Sequence, residues 1–235
     1  PSMRFTSPKS ETAQVATVIR RIRSGYIKER TASMNRIGSM LLEFGMSFPR
    51  GHAHMKKLFQ WLADKGEPIP LTLMVELQEL HEYYKHLNEL IKKQDRKLQL
   101  LLNENPLMQL LQSIPGVGPM TAACCLSNVG NASDFKNGRN FAAWIGLVPF
   151  QYSTGGKTRM LGISKRGNKE LRELFVDAAR VIVSRPETSE RYFGHWLTEL
   201  RMRKPFNVAV VALANKLARI AWSVMTSQKA FELRV

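Results

Sequence analysis

Across 235 residues, 35 lysines and arginines stand against 19 aspartates and glutamates, a formal charge of +16. A surplus of that size suits a polyanionic partner and argues against an ordinary metabolic enzyme. At 44% hydrophobic residues the chain can bury a core, which argues against disorder, and no uninterrupted apolar run or signal-peptide pattern speaks for a membrane.

From Glu11 to about Phe44 the pattern is helical, with Val15, Ile19, Ile22, Tyr26, Met34, Ile37, Leu41 and Phe44 recurring mostly at threes and fours and arginines between them. Gly45 and Pro49 end that helix, and Pro68 and Pro70 mark a turn before the next. Leu73, Leu77, Leu80, Tyr84, Leu87, Ile91, Leu98 and Leu101 then keep a four-three spacing broken only at Gln94. Four heptads of this kind are a coiled-coil pattern. The stripe can pair against the first helix as an antiparallel hairpin or pair between subunits; the spacing does not choose. Asn103–Pro106 breaks the pattern. Beyond it, helices are expected over 107–113, 120–129, 137–145, 167–183, 188–201 and 206–226, with a hairpin or extended loop over 147–163. The last helix, apolar on much of its circumference, is expected to be buried.

Cys124 and Cys125 are adjacent in an apolar helical context, offer neither a disulfide framework nor zinc spacing, and are read as small buried residues. The five histidines form no metal-binding constellation, and His52 and His54 are read as solvated. Glu170, Glu173 and Asp177 share a helix face, but the basic residues three and four away make ion pairs the simpler reading, so no metal ligands are assigned.

Two stretches carry chemistry. In Ile114-Pro115-Gly116-Val117-Gly118-Pro119, two glycines flank an apolar residue between helices, and Thr121 opens the second helix. This is a helix-hairpin-helix pattern, in which exposed amides and a helix N-terminus grip a phosphate without reading bases. Gly116, Val117, Gly118 and Thr121 are its candidate DNA-backbone contacts. The second stretch, Tyr152-Ser153-Thr154-Gly155-Gly156-Lys157, sets two hydroxyls beside two glycines, with Arg159, Lys165 and Arg166 following. Cations near a hydroxyl favour its alkoxide and stabilise a pentacoordinate phosphorane. Glycines admit a close backbone, so Gly155, Gly156, Lys157, Arg159, Lys165 and Arg166 join the phosphate-contact set. Taken alone, Ser-Thr-Gly-Gly is more often a plain turn.

The ordered series Ile114–Ala123, Phe135–Lys136, Phe141–Pro149, Ser153–Lys157 and Leu161–Asn168 resembles the C-terminal domain of the Piv/MooV-like insertion-sequence transposases, the bridge-RNA-guided recombinases. Upstream, Met3-Arg4-Phe5 through Ser10 and Glu29–Gly45 resemble that family's linker and long helix. The resemblance implies a serine nucleophile at Ser153, with Thr154 as the alternative position. It also implies a RuvC-like domain binding Mg²⁺ through four acids. No such acidic set is present here, so the chain reads as a C-terminal portion with no cofactor of its own.

The expectation is therefore a mostly α protein: a linker over 1–8, a coiled-coil segment over 9–103 and a transposase domain over 104–235. That domain would hold the hairpin motif at about 110–129 and the active-site loop at 152–168. Expected partners are double-stranded DNA, a structured guide RNA and further copies in a dimer or tetramer, in a prokaryotic cytoplasm. The competing expectation is a non-catalytic nucleic-acid-binding and oligomerisation module.

Overall fold

The computed structural model describes residues 7–66 and 68–233. The linker expected over 1–8 lies, but for Ser7 and Pro8, outside the described residues, as do Met3-Arg4-Phe5. The fold is mostly α, as expected. In chain order the elements are α1 (Glu11–Glu43), α2 (His52–Met55), α3 (Leu58–Lys65), α4 (Leu71–Leu102), α5 (Pro106–Gln112), α6 (Pro119–Asn128), a 3₁₀ turn (Ala132–Asp134) and α7 (Gly138–Ile145). A two-stranded antiparallel hairpin, β1 (Pro149–Gln151) and β2 (Met160–Ile163), precedes α8 (Lys169–Val183), α9 (Pro186–Arg203) and α10 (Phe206–Ser227). Two compact units result. One is residues 18–98; the other joins the segment up to Thr17 to the chain from Gln99 onward. The division falls inside α1 and α4 rather than at Asn103.

In the 18–98 unit, α1 and α4 pair antiparallel within the chain. Arg23 bonds Asp95, Arg30 donates to Asn88 Oδ1 at 2.9 Å, and the Ser33 hydroxyl donates to the Leu80 carbonyl at 3.3 Å. The α4 seam follows the expected one in part: Leu77, Tyr84, Leu87, Ile91 and Leu98 are buried, with Gln94 buried among them, whereas Leu73, Leu80 and Leu101 are only half-buried and His81 and Leu102 are buried instead. The α1 seam is not. Ile37 and Leu41 are buried, but Ile22 and Phe44 are 42% and 49% exposed, while Arg20 and Ser33 face inward. Two short helices that periodicity did not indicate, α2 and α3, close one end. Met55, Leu58 and Leu62 join Ile37, Leu41, Leu77 and Tyr84 in a core that a plain two-helix seam would lack.

His81 is buried in that core, and its Nε2–H donates to the Met55 carbonyl at 3.0 Å. Its Nδ1 has no partner, so a second ring proton would be a buried donor without an acceptor. Burial lowers the His81 pKa from 6.5, with Lys85 adding to the effect against the Met55 bond and Glu82. His52, whose Nδ1 lies 3.2 Å from the Tyr84 hydroxyl, shifts the same way through burial and then Arg30. Because the unfolded chain takes up these protons first, stability is lost as pH falls below 6.5. The urea midpoint of this unit will therefore drop on going from about pH 7.5 to about pH 5.5, and His81→Gln will flatten that slope. A midpoint independent of pH in the unaltered chain would refute the assignment.

In the other unit α10 is central, packing against α5, α7, α8, α9 and the 3₁₀ turn. Leu213, Ala214, Leu217, Ala218 and Ala221 are fully buried along one stripe. Cys124 and Cys125 are buried, as expected. Two expectations for α10 need correction. Its apolar character does not bury it all round: Phe206 and Val208 remain 42% and 48% exposed. It is also long and apolar enough, by length and composition, to cross a membrane, although half of its most apolar stretch is buried inside this unit. Asn215, Lys216 and Arg219 interrupt the run, which is why no continuous span is visible in the sequence. The helix expected over 188–201 is kinked at Gly194 (φ 49°, ψ −143°).

Candidate nucleic-acid interface

Helices α5 and α6 are joined by a tight turn in which the Val117 amide donates to the Ile114 carbonyl at 3.0 Å. Gly116 has φ 79°, and a Cβ there would meet Ile182 Cδ1 at 2.9 Å and the Ala178 carbonyl at 3.2 Å, so the turn seats directly on α8. Gly118 is the N-cap of α6, extended at φ −88°, followed by Pro119 at the first helical position. No side chain caps this end. The first-turn amides of Met120 and Thr121, which have no intrahelical acceptor, are left for solvent or a ligand. Gly116 and Gly118 are exposed, whereas the Val117 and Thr121 side chains are 4% and 5% exposed. Of the four candidate contacts, Thr121 thus offers only its backbone amide, while the Val117 side chain is buried and its amide is already given to Ile114 O.

The second stretch is a hairpin. Pro149 pairs with Ile163 and Gln151 with Met160, with an irregularity between them. Pairing continues through Tyr152 N to Arg159 O at 2.9 Å and a bridge between Thr154 and Lys157. Gly155 and Gly156 form the two-residue turn with φ 56° and 76°, the paired positive angles of a type I′ turn. Their first task is therefore the turn itself. Ser153, Thr154, Lys157, Arg159, Lys165 and Arg166 are all exposed. The Ser153 Oγ accepts from Gln151 Nε2 at 2.9 Å and from the Arg159 amide at 3.4 Å. Two donors aimed at one hydroxyl oxygen favour its negative form. Between Asp134 and Glu170 the chain contains no carboxylate.

The hairpin's base is fastened to the α7 C-terminus. Ser164 N donates to Val148 O at 2.8 Å, and Lys165, at φ 55°, donates its amide to Gly146 O at 3.1 Å. Arg172 Nη1 reaches Ile145 O at 2.8 Å. The Arg166 guanidinium lies over the Phe150 ring, 5.5 Å from its centroid. Sequence reasoning missed Gln151, and it counts Arg172 among the cations after the turn without assigning it this anchoring role. Gln151 had a signal, since two residues before Ser153 on a strand is the same face; the Arg172 bond to the end of α7 had none. Glu173, considered as a metal ligand, pairs with Lys169 at 3.7 Å. Among the described residues no three of His, Cys, Asp and Glu gather as a metal would require.

The model of the IS116/IS110/IS902 transposase family matches residues 108–193, the stretch holding both the α5–α6 turn and the serine hairpin. The chain is 40% identical over 231 residues to the transposase of insertion sequence IS1328 from Yersinia enterocolitica, covering 98% of this chain and 69% of that protein. The chain belongs to the IS116/IS110/IS902 transposase family. A probable family 20 transposase of Pseudomonas aeruginosa is 36% identical over 233 residues, with the same coverages. The pilin gene-inverting protein of Moraxella bovis is 27% identical over 159 residues, covering 64% of this chain and 48% of that protein. This transposase-family chain is thus similar over most of its length to proteins named for transposition, and over 159 residues to one named for gene inversion.

Proposed function

We propose that this transposase-family chain grips DNA backbone through a helix-hairpin-helix at α5–α6 and cleaves a strand with Ser153. The observation that carries the reading is the hairpin: an exposed hydroxyl with two donors on its oxygen, cations at Lys157 and Arg159 on the strand that follows the turn, and no carboxylate in the surrounding stretch to repel a phosphate. Ser153 Oγ attacks phosphorus and loses its proton; the bond from phosphorus to one strand oxygen breaks, and that strand leaves as a free hydroxyl. The other strand end stays esterified to the serine. One phosphoester replaces another, so a second strand's hydroxyl reverses the step without an outside energy source. Lys157, Arg159, Lys165 and Arg166 hold the neighbouring phosphates. A guide RNA, further copies and a Mg²⁺-dependent RuvC-like domain complete the reaction in this reading.

Covalent trapping tests it. Labelled, nicked element-end DNA with guide RNA and Mg²⁺, with and without a separately supplied RuvC-like domain, is run against the chain on a denaturing gel. An adduct lost in Ser153→Ala and kept in Thr154→Ala is the expected result. The converse moves the nucleophile one residue. No adduct under any condition, alongside tight salt-sensitive DNA binding, leaves only a nucleic-acid-binding module.

The grip has its own test. A Cβ at Gly118 meets nothing within 4 Å and φ is ordinary, so aspartate fits. Gly118→Asp will cap α6 and raise stability by a few tenths of a kcal/mol, while its carboxylate occupies the phosphate position. Affinity for duplex DNA will fall about tenfold, with the salt slope reduced by roughly one. Unchanged affinity would remove α6 from the interface.

A further inference from the structure

A groove of about 1440 Å³ opens beside the hairpin, between β2, the outer face of α10 and the C-terminal half of α9. Its floor is mainly aliphatic: Val208, Val211 and Ala212 come from one face of α10, with Leu161 and Ile163 opposite. Val208 on α10 and Leu161 on β2 are 48% and 45% exposed, so apolar surface is open on both walls. The groove's charged lining residues are all cations. Arg139, Lys165, Lys216 and Arg219 line it, and no aspartate or glutamate does. Lys216 lies with Nζ 4.2 Å from the centroid of the Trp196 ring, and burial, with Arg219 beside it, lowers its pKa. The groove thus holds a partly desolvated cation next to a second one.

We propose that this groove docks an amphipathic helix of a partner protein, its apolar stripe on the α10 floor and its flanking carboxylates on Lys216 and Arg219. An aliphatic channel with apolar positions at helical spacing is the helix-in-groove mode of recognition, and the one-signed charge of its lining selects the opposite sign. Two other occupants fit less well. Symmetric pairing of α10 with a second copy sets Lys216 and Arg219 against the same charges. A single nucleic-acid strand needs free aromatic faces and free amides for its bases. Here Lys216 sits over Trp196, and the Asn215 side-chain amide is already given to Leu147 O. The Asn137 side chain caps α7. The groove shares Leu161, Ile163 and Lys165 with the hairpin and its base, but the two cations proposed to take the carboxylates, Lys216 and Arg219, lie on α10 and are not among the residues assigned to the serine chemistry.

The test uses the full chain and two fluorescent helical peptides of about 18 residues, long enough for several turns. Both carry leucines at i, i+3/i+4 and i+7; one is flanked by glutamates and the other by lysines. The glutamate peptide is expected to bind at least about tenfold tighter. Lys216→Glu with Arg219→Glu will invert that preference, and Val208→Asp will weaken binding with the helical circular dichroism unchanged. Ser153→Ala will bind like the unaltered chain, which separates this result from the fate of the nucleophile. Equal affinity for both peptides, or a double reversal without effect, would overturn the proposal. So would a dimer in sedimentation that Val208→Asp dissociates, which assigns the groove to a second copy. Displacement of the peptide by oligothymidylate, lost in the double reversal, would assign it to nucleic acid instead.

Discussion

Ser153→Ala will abolish covalent capture of DNA and lower strand cleavage by at least about 10⁴-fold, the scale on which removal of a covalent nucleophile acts. DNA affinity will change less than about twofold, because a single exposed hydroxyl supplies little of a binding energy dominated by cations. That split between chemistry and binding is the diagnostic. Ser153→Cys keeps a nucleophile at the same Cβ but presents a larger, softer atom to Gln151 and the Arg159 amide, so it will recover only a small part of the rate. Lys157→Ala and Arg159→Ala will behave oppositely to the serine change, weakening binding and its salt slope while leaving an adduct detectable at low salt. Arg159 has a further part, since its amide, not its side chain, reaches the Ser153 oxygen. Its substitution by alanine keeps that bond. An adduct retained at full yield in Ser153→Ala would end the serine assignment.

The sequence was legible where one residue type repeats on one face. Leu77, Tyr84, Leu87, Ile91 and Leu98 mark the α4 seam in order, and the helices from α5 to α8 start within two residues of their expected positions. It was opaque where the buried side of a helix is small or polar. The α1 seam runs through Ala16, Arg20 and Ser33, so counting large apolar residues selected Ile22 and Phe44, which the structure exposes. Helices α2 and α3 were too short for a period, although Leu58, Leu62 and the left-handed Gly66 after Lys65 spell out α3 in retrospect. At the site, the glycines at 155 and 156 were read as room for a DNA backbone, and the fold uses them as a type I′ turn. The fastening of the hairpin's base could not be read at all, because it joins residues about twenty positions apart through main-chain atoms.

That fastening makes Gly167→Ala the most damaging single methyl group expected in this unit. A Cβ at Gly167 would stand 1.8 Å from the Trp144 carbonyl oxygen, and the residue has φ 91°. All three nearest atoms, Trp144 O and C and Ile145 C, are main-chain, so the loop or the α7 C-terminus must move. Gly146 meets the same crossing from the other side, with a Cβ 2.1 Å from the Arg166 carbonyl. The left-handed backbone alone costs a non-glycine residue about 1–2 kcal/mol; adding the clash brings the expected loss to about 3 kcal/mol or more. For a unit of this size that lowers the melting temperature by roughly 6–12 °C. Gly155→Ala is the control. It has φ 56° but nothing within 4 Å of its Cβ, so it incurs the backbone cost without the clash and should lose only about 1–2 kcal/mol. If the two variants melt together, the crossing is looser than its distances state. If they separate as expected, Gly167→Ala should also lower the yield of the Ser153 adduct below its folded fraction, because Lys165, Arg166 and the Arg172 bond to Ile145 O all hang on that crossing.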